Sequence, residues 1–251
     1  KELGQPFDDS EDDRLEVAHA QSFRAVPKAT PAPVALTAPS VRMPEDGEPQ
    51  DPRRGGLASL HPMQQRLLGR TGLKVSRLGL GTMPWGTDTD EHEARDLLVA
   101  FTEAGGTLLD TSAGYGDGAS EELIGSLLGE VVSRDQVVLA TKVAGPARGM
   151  DWVRNGSPDL TKADIIGACD DSLKRLQTDV IDLYQIHWPN RNVPLFTSMY
   201  FDPAKDQPQT SIHDQLETLG KLIQAGKVRA IGLSNETPWG LMEFVRVAEQ
   251  H

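Results

Sequence analysis

The sequence contains a single cysteine, Cys169, which excludes an internal disulfide and is typical of proteins in a reducing, intracellular compartment. Basic residues are scarce, because 25 lysines and arginines stand against 37 acidic residues and leave a net charge of −12. That balance, without any basic stripe, argues against nucleic acid or an anionic membrane surface as a partner. No apolar run approaches the roughly 18 residues that a membrane-spanning helix requires.

The first 62 residues are poor in aromatic side chains and rich in proline. They hold only Phe7 and Phe23 but 9 of the 17 prolines. Such a composition buries too little apolar surface to offset the entropy lost on folding. We therefore predict a disordered leader over residues 1–62 and a folded domain over residues 63–251. Residues 21–43 lack acids, as transit peptides do, but the acidic run from Asp8 to Glu16 does not fit one, so a plain disordered leader is favoured. The expected compartment is the cytoplasm, or a plastid if the leader is a transit peptide.

Beyond the leader, short β-branched or leucine-rich segments alternate with amphipathic helical patterns. Capping residues Asp90, Thr161 and Ser211 mark three helix starts. Alternating strands and helices predict a parallel sheet, either an open doubly wound sheet or a (β/α)₈ barrel of which about five units are present. The predicted strands are residues 75–80, 107–111, 137–143, 181–187 and 228–233.

The first predicted strand runs into a near match to the dinucleotide-binding fingerprint. Gly79 and Gly81 have the required spacing, but Pro84 replaces the third glycine and the next helix starts only near Asp90. The alternative is a first barrel strand followed by a loop that faces the site. In that case Gly81 and Thr82 would offer backbone groups to a ligand.

Four chemically active residues lie at or just beyond predicted strand ends: Asp110, Tyr115, Lys142 and His187. The carboxyl ends of parallel strands meet at one rim, so the spacing predicts that these side chains converge. A buried lysine needs a partner, and Asp110 would keep Lys142 charged and in place. Taken alone, Asp110 could equally be a turn cap.

Tyr115 and His187 each allow a structural and a functional interpretation. Tyr115 is either a loop residue packed on the rim or a general acid, and a nearby ammonium would stabilise its phenolate. His187 is either a core histidine or a donor that orients a substrate carbonyl. A metal site is not predicted, because only Asp110 and His187 are placed to act as ligands.

Three further features could shape a binding pocket. Trp85 and Trp188 follow predicted strands, and either wall an apolar substrate pocket or pack in the core. Residues 189–210 form a long loop that we predict to shape the substrate site. Cys169 lies on the apolar stripe of its helix and is expected to be an inert core thiol.

The motifs DSLKRLQTD, DLYQIHWP and IGLSN, read together, resemble the aldo-keto reductases, most closely the bacterial Tas-like branch. The resemblance runs from about Met63 to His251. It implies a (β/α)₈ barrel that reduces carbonyls to alcohols with NADPH. It also implies a catalytic tetrad of Asp110, Tyr115, Lys142 and His187, and it makes Ser234 and Asn235 the residues that hold the nicotinamide carboxamide.

The expected site therefore has three groups of residues and no metal. The partner is a small-molecule carbonyl substrate, with no nucleic acid and no membrane, and the oligomeric state is open. The rival classes are a truncated cofactor-binding or regulatory module without turnover and a metal-dependent barrel isomerase. The tetrad is the first group, and three of its members recur in the other two. The predicted cofactor contacts are Gly81, Thr82, Met83, Asp110, Ser234 and Asn235, and the predicted pocket residues are Trp85, Tyr115, His187 and Trp188.

Overall fold

The computed structural model describes residues 63–143, 159–196, 200–206 and 209–250, so the leader predicted for residues 1–62 lies outside the described residues. The strands are β1 (Gln65–Leu67), β2 (Lys74–Ser76), β3 (Gly79–Gly81), β4 (Leu108–Asp110), β5 (Val138–Val143), β6 (Ile181–Ile186) and β7 (Val228–Leu233). The α-helices are α1 (Glu91–Glu103), α2 (Ala119–Leu127), α3 (Lys162–Arg175), α4 (Ile212–Gln224) and α5 (Pro238–Ala248).

Strands β3 to β7 form a parallel sheet in which spatial order equals chain order. A doubly wound sheet reverses its strand order at a switch point, whereas barrel strands follow one another without reversal. Successive helices also pack on each other, α2 on α3, α3 on α4 and α4 on α5. The prediction of an incomplete (β/α)₈ barrel with five βα units is therefore confirmed.

The helix starts follow the capping residues that the sequence indicates. Asp90 accepts a hydrogen bond from the Glu93 N–H, and Thr161 and Ser211 cap α3 and α4 in the same way. Thr237 caps α5, with Pro238 at the first helical position. Such side chains satisfy backbone N–H groups that have no partner within the helix.

The single strand predicted over residues 75–80 is wrong. Strand β2 ends at Ser76 and pairs with β1 as an antiparallel hairpin. The chain joins the parallel sheet only at β3, which begins at Gly79. Ser76 causes the break, because its Oγ donates to Leu78 O (2.6 Å) and accepts from Thr107 N (2.9 Å). Gln65 Nε2 donates to Gly105 O (2.8 Å), so the hairpin lies at the amino-terminal end of the sheet.

The two faces of the sheet differ in burial. Leu109, Leu139 and Tyr184 are fully buried in a core cluster with residues of all five helices. Side chains alternate between faces along a strand, and Leu108 and Leu183 on the opposite face are only half-buried. Among the described residues, none of the helices combines the length and apolar content that crossing a membrane requires.

The sheet face that carries Leu108 and Leu183 has polar side chains at its carboxyl end. Lys142 lies opposite Gln185 in the register of β5 and β6, and Asp110 lies opposite Ala140 in that of β4 and β5. Ala140 and Lys142 are two residues apart and so share a face. The register therefore places Asp110, Lys142 and Gln185 side by side.

Candidate active site

The four predicted catalytic residues come together at the carboxyl ends of β4, β5 and β6. Asp110 ends β4, Lys142 lies next to the end of β5, and His187 follows β6. Tyr115 opens a short 3-10 turn in which Gly116 (φ 57°), Asp117 (φ 56°) and Gly118 (φ 93°) are left-handed. Glycine adopts this conformation without steric cost, so the glycines let the chain turn back and present Tyr115 to the strand ends.

The Lys142 ammonium is the centre of the group. Its Nζ donates to Asp110 Oδ2 (2.8 Å), to Thr111 O (2.8 Å) and to the Tyr115 hydroxyl oxygen (3.4 Å). These partners account for all three N–H donors of an ammonium. Lys142 is only 4% exposed, and a buried ammonium is tolerated when it is paired with a carboxylate and hydrogen-bonded. The positive charge of Lys142 is therefore fixed next to the Tyr115 hydroxyl.

His187 lies beside Tyr115, with the two rings edge to face and their centroids 5.7 Å apart. Burial, and secondarily the positive charge of Lys142, lower the pKa of His187 to about 3. The backbone of His187 is held on both sides, because its N–H donates to Val143 O (3.0 Å) and its carbonyl accepts from Asn235 Nδ2 (2.8 Å). The imidazole is therefore neutral at neutral pH and fixed at the rim.

Ser234 and Asn235 present groups that fit an amide ligand. Asn235 is left-handed (φ 53°), and its Nδ2 donates to His187 O and to Ser234 Oγ (3.0 Å). None of the hydrogen bonds among the described residues uses Asn235 Oδ1, which can therefore accept an N–H from a carboxamide. The α5 cap is Thr237, so Asn235 is not the capping residue of that helix.

The three predicted cofactor contacts in the loop after β3 differ in burial. Thr82 is fully buried, its N–H donates to Asp110 O (3.0 Å), and its hydroxyl pairs with Ser120 Oγ (2.8 Å). Gly81 and Met83 are exposed, and a Cβ placed on Gly81 would meet no described atom within 4 Å. Thr82 thus anchors the loop, while open space lies beside Gly81.

The two tryptophans proposed as pocket walls occupy different surroundings. Trp85 is 1% exposed and belongs to the hydrophobic core cluster. Trp188 stacks on His187, with ring centroids 4.2 Å apart, and its other neighbour is Phe196 at 5.9 Å in an edge-to-face contact. Trp188 is itself buried, at 5% exposed, so only Phe196, at 71% exposed, carries this aromatic row from His187 to the surface.

The long loop predicted over residues 189–210 has its ends tied together, while residues 197–199 and 207–208 lie outside the described residues. Asn190 Nδ2 donates to Thr210 O (2.9 Å) and to Asp159 Oδ1 (3.0 Å), and Thr210 Oγ1 donates to Asp159 Oδ2 (2.8 Å). Burial alone would raise the pKa of Asp159, but the hydrogen bonds from Asn190 and Thr210 outweigh it and lower that pKa. These contacts hold the loop ends beside the rim.

Sequence reasoning missed two side chains of this group. Gln185 Nε2 donates to Asp110 Oδ1 (3.3 Å), and Ser112 Oγ lies 2.9 Å from His187 Nδ1. Gln185 carried a usable signal, because it stands two residues before His187 and so shares its face of the strand. Ser112 lies in a loop, where no periodicity indicates direction. Within the described parts of the chain, no group of three or more His, Cys, Asp or Glu side chains could hold a metal ion.

The sequence profile of the aldo/keto reductase family matches residues 77–250. Protein tas of Escherichia coli K12 is 37% identical over 196 residues, which cover 75% of this chain and 57% of that protein. The aldo-keto reductase YhdN of Bacillus subtilis is 39% identical over 195 residues, covering 75% of this chain and 52% of that protein. This chain thus spans about half the length of the curated relatives it matches.

A solved structure shares both fold and sequence. The holo form of an aldo-keto reductase from Bacillus halodurans superposes with a TM-score of 0.57 at 34% identity, covering 73% of this chain and 54% of that one. The similarity includes the stretch that carries the four clustered side chains, since the family profile spans residues 77–250. The chain belongs to the aldo/keto reductase family.

Proposed function

We propose that this chain carries the reducing chemistry of an NADPH-dependent oxidoreductase that converts aldehyde or ketone carbonyls to alcohols, with Tyr115 as the general acid. One observation carries the proposal. The Lys142 ammonium is held by Asp110 at 2.8 Å and lies 3.4 Å from the Tyr115 hydroxyl oxygen. Family membership supports the reaction class.

Negative charge develops on a carbonyl oxygen when hydride reaches its carbon, so the oxygen needs a proton donor in the transition state. The Tyr115 hydroxyl supplies that proton. Its phenolate is stabilised by the adjacent Lys142 ammonium, because an opposite charge at hydrogen-bond distance favours the ionised form. Asp110 keeps the ammonium charged and aimed at the phenol. These three side chains form one proton-donating unit.

His187 has a different role in this scheme. Its pKa of about 3 means that the imidazole is neutral at neutral pH and cannot serve as a cationic acid. A neutral imidazole still has one N–H, which can donate to the substrate oxygen and align the carbonyl with Tyr115. The division of roles leaves Tyr115 as the acid and His187 as the orienting donor.

The cofactor contacts follow from the acceptor groups just after β7. Asn235 Oδ1 and the Ser234 hydroxyl suit a nicotinamide carboxamide, and the open surface at Gly81 and Met83 suits the remainder of the molecule. The nicotinamide ring, when bound, supplies the hydride from its C4 position. The preference for NADPH over NADH rests on the family resemblance.

The test is NADPH oxidation by the unchanged chain with 4-nitrobenzaldehyde as substrate, compared with NADH under the same conditions. Tyr115→Phe should abolish turnover while NADPH binding, followed by protein fluorescence, stays intact. Turnover that survives in Tyr115→Phe would refute the acid assignment. Cofactor binding without any turnover in the unchanged chain would refute the reductase proposal and support a cofactor-binding module.

A further inference from the structure

Ser112 is a fully buried serine in the loop after β4, and its hydroxyl faces the orienting histidine. Ser112 Oγ lies 2.9 Å from His187 Nδ1 and accepts a hydrogen bond from the Gly114 N–H at 3.1 Å. The same loop leads directly to Tyr115, whose N–H donates to Ser112 O (3.0 Å). Ser112 therefore contacts the segment that carries Tyr115 as well as the His187 ring.

The direction of the Ser112–His187 hydrogen bond follows from counting donors and acceptors. A serine hydroxyl has one hydrogen to donate and two lone pairs to accept with. Gly114 occupies a lone pair, because its N–H is a donor. Among the described residues, His187 Nδ1 is the one partner of Ser112 Oγ that can accept the hydroxyl hydrogen. Buried polar groups are nearly always satisfied, so the Ser112 hydroxyl donates to Nδ1.

This direction determines where the imidazole proton sits. A neutral imidazole carries one proton, on either Nδ1 or Nε2, and the hydrogen bond made by one nitrogen selects the state of the other. Nδ1 accepts from Ser112, so Nε2 carries the proton and is a donor. Val143 and Asn235 bind only the backbone of His187. They do not contact the ring nitrogens, so the tautomer is set by the contact of Nδ1 with Ser112.

We propose that Ser112 is a positioning residue that fixes His187 in the tautomer protonated at Nε2, so that the ring presents an N–H to the substrate's carbonyl oxygen. The inference rests on the proposed function, because it deepens the role of His187 in carbonyl reduction. Without Ser112, the ring could place its proton on Nδ1 and offer the substrate oxygen a lone pair, which repels a carbonyl oxygen instead of binding it.

The first experiment reads the tautomer directly, without turnover. The chain is labelled with ¹⁵N-histidine, the His187 ring signals are assigned by their loss in His187→Gln, and the ring nitrogen shifts are recorded at neutral pH. We expect a protonated Nε2 and an unprotonated Nδ1 in the unchanged chain and in Ser112→Thr, which keeps the hydroxyl. Ser112→Ala should move both shifts toward a mixture of tautomers. Unchanged His187 shifts in Ser112→Ala would overturn the proposal.

The second experiment separates positioning from folding. Ser172→Ala is the matched control, because Ser172 is also a fully buried serine but lies on α3. In Ser112→Ala the KM for 4-nitrobenzaldehyde should rise about tenfold, the size of one hydrogen bond, while the Kd for NADPH stays constant. Ser172→Ala should leave both unchanged. A Ser112→Ala chain that keeps the KM of the unchanged chain would contradict the positioning role.

The two proposals can fail separately. If the unchanged chain oxidises no NADPH, the reductase proposal fails, whereas the ¹⁵N shifts still report whether Ser112 sets the tautomer. If turnover is present but Ser112→Ala leaves the His187 shifts unaltered, the positioning role fails and the reductase proposal stands. If Ser112→Ala does not fold, Ser112→Cys replaces it, because its S–H group is a weaker donor. The His187 ¹⁵N shifts of Ser112→Cys should lie between those of the unchanged chain and those of a tautomer mixture. Shifts equal to those of the unchanged chain would overturn the inference.

Discussion

The Lys142 ammonium and the Asp110 carboxylate lie 2.8 Å apart although they come from different strands, and Lys142 is almost completely buried. Removing an ammonium from water costs free energy that a paired carboxylate offsets. The pair is also next to the Tyr115 hydroxyl, so its stability and its chemistry are linked. A change to either partner is expected to alter the proton donor and the local packing together.

Asp110→Asn should lower kcat for carbonyl reduction by about a hundredfold or more, within the range for losing general acid catalysis. The amide leaves the Lys142 ammonium without a counter-charge and weakens its hold beside Tyr115. The measurement is kcat with NADPH and 4-nitrobenzaldehyde. Asp96→Asn is the matched control, because Asp96 lies on the exposed side of α1. Equal kcat values for the two variants would contradict the role of Asp110.

The buried His187 should make the fold more stable as pH rises from about 3 to 6.5, because its pKa is lowered from 6.5 to about 3. In this window the unfolded chain binds a proton that the folded chain does not, so acid favours unfolding. Urea unfolding at several pH values measures the slope. His187→Gln should flatten it, whereas His92→Gln, at an exposed histidine of α1, should not. An identical slope in His187→Gln would exclude this linkage.

Arg175→Met should destabilise the fold by about 3–5 kcal/mol, the typical cost of leaving a buried charge without its partner. Arg175 Nε donates to Glu121 Oε2 (2.7 Å), and the side chain of Glu121, on α2, is completely buried. The neighbouring Lys174 pairs with Asp171 at the surface, so Lys174→Met should cost less than about 1 kcal/mol. Urea unfolding compares the two, and equal losses would contradict a buried ion pair.

Cys169 should resist alkylation in the folded chain. Burial raises the pKa of its thiol to about 12, with a further contribution from the Asp170 carboxylate, and the thiolate is the reactive form. Mass spectrometry after iodoacetamide treatment should show little modification in buffer and rapid modification in urea. Modification at the same rate in both conditions would show that the thiol is accessible in the folded state.

The sequence predicted the sheet well where its local signals were self-consistent. Strands β4 to β7 lie within the predicted segments, since each is a short β-branched or leucine-rich run bounded by turn residues. The first strand was misplaced because Val75, Leu78 and Leu80 suggest one continuous strand. Ser76 interrupts that strand, since its Oγ accepts a hydrogen bond from the N–H of Thr107, a residue 31 positions away. A contact over that distance leaves no periodic trace in the sequence.

The candidate site, like the sheet, could be predicted from the sequence only in part. Asp110, Lys142 and His187 could be grouped in advance, because residues at the ends of parallel strands must meet at one rim. The burial of Thr82 and the contact between Ser112 and His187 could not be predicted. Both depend on the direction of side chains in loops, where the backbone follows tertiary packing and has no fixed period.

The sequence by itself determined the order of β4 to β7 and of the helices, the capping residues and the presence of a carboxylate, an ammonium, a phenol and an imidazole at or just after strand ends. These depend on local propensity and on the two-residue period of a strand. Only the tertiary structure decided that Lys142 donates to Asp110 and Tyr115 at once, that His187 is neutral, and that Ser112 faces its Nδ1. Distances and burial decide those properties, because charge stabilisation and pKa depend on atoms that are close in space and far apart along the chain.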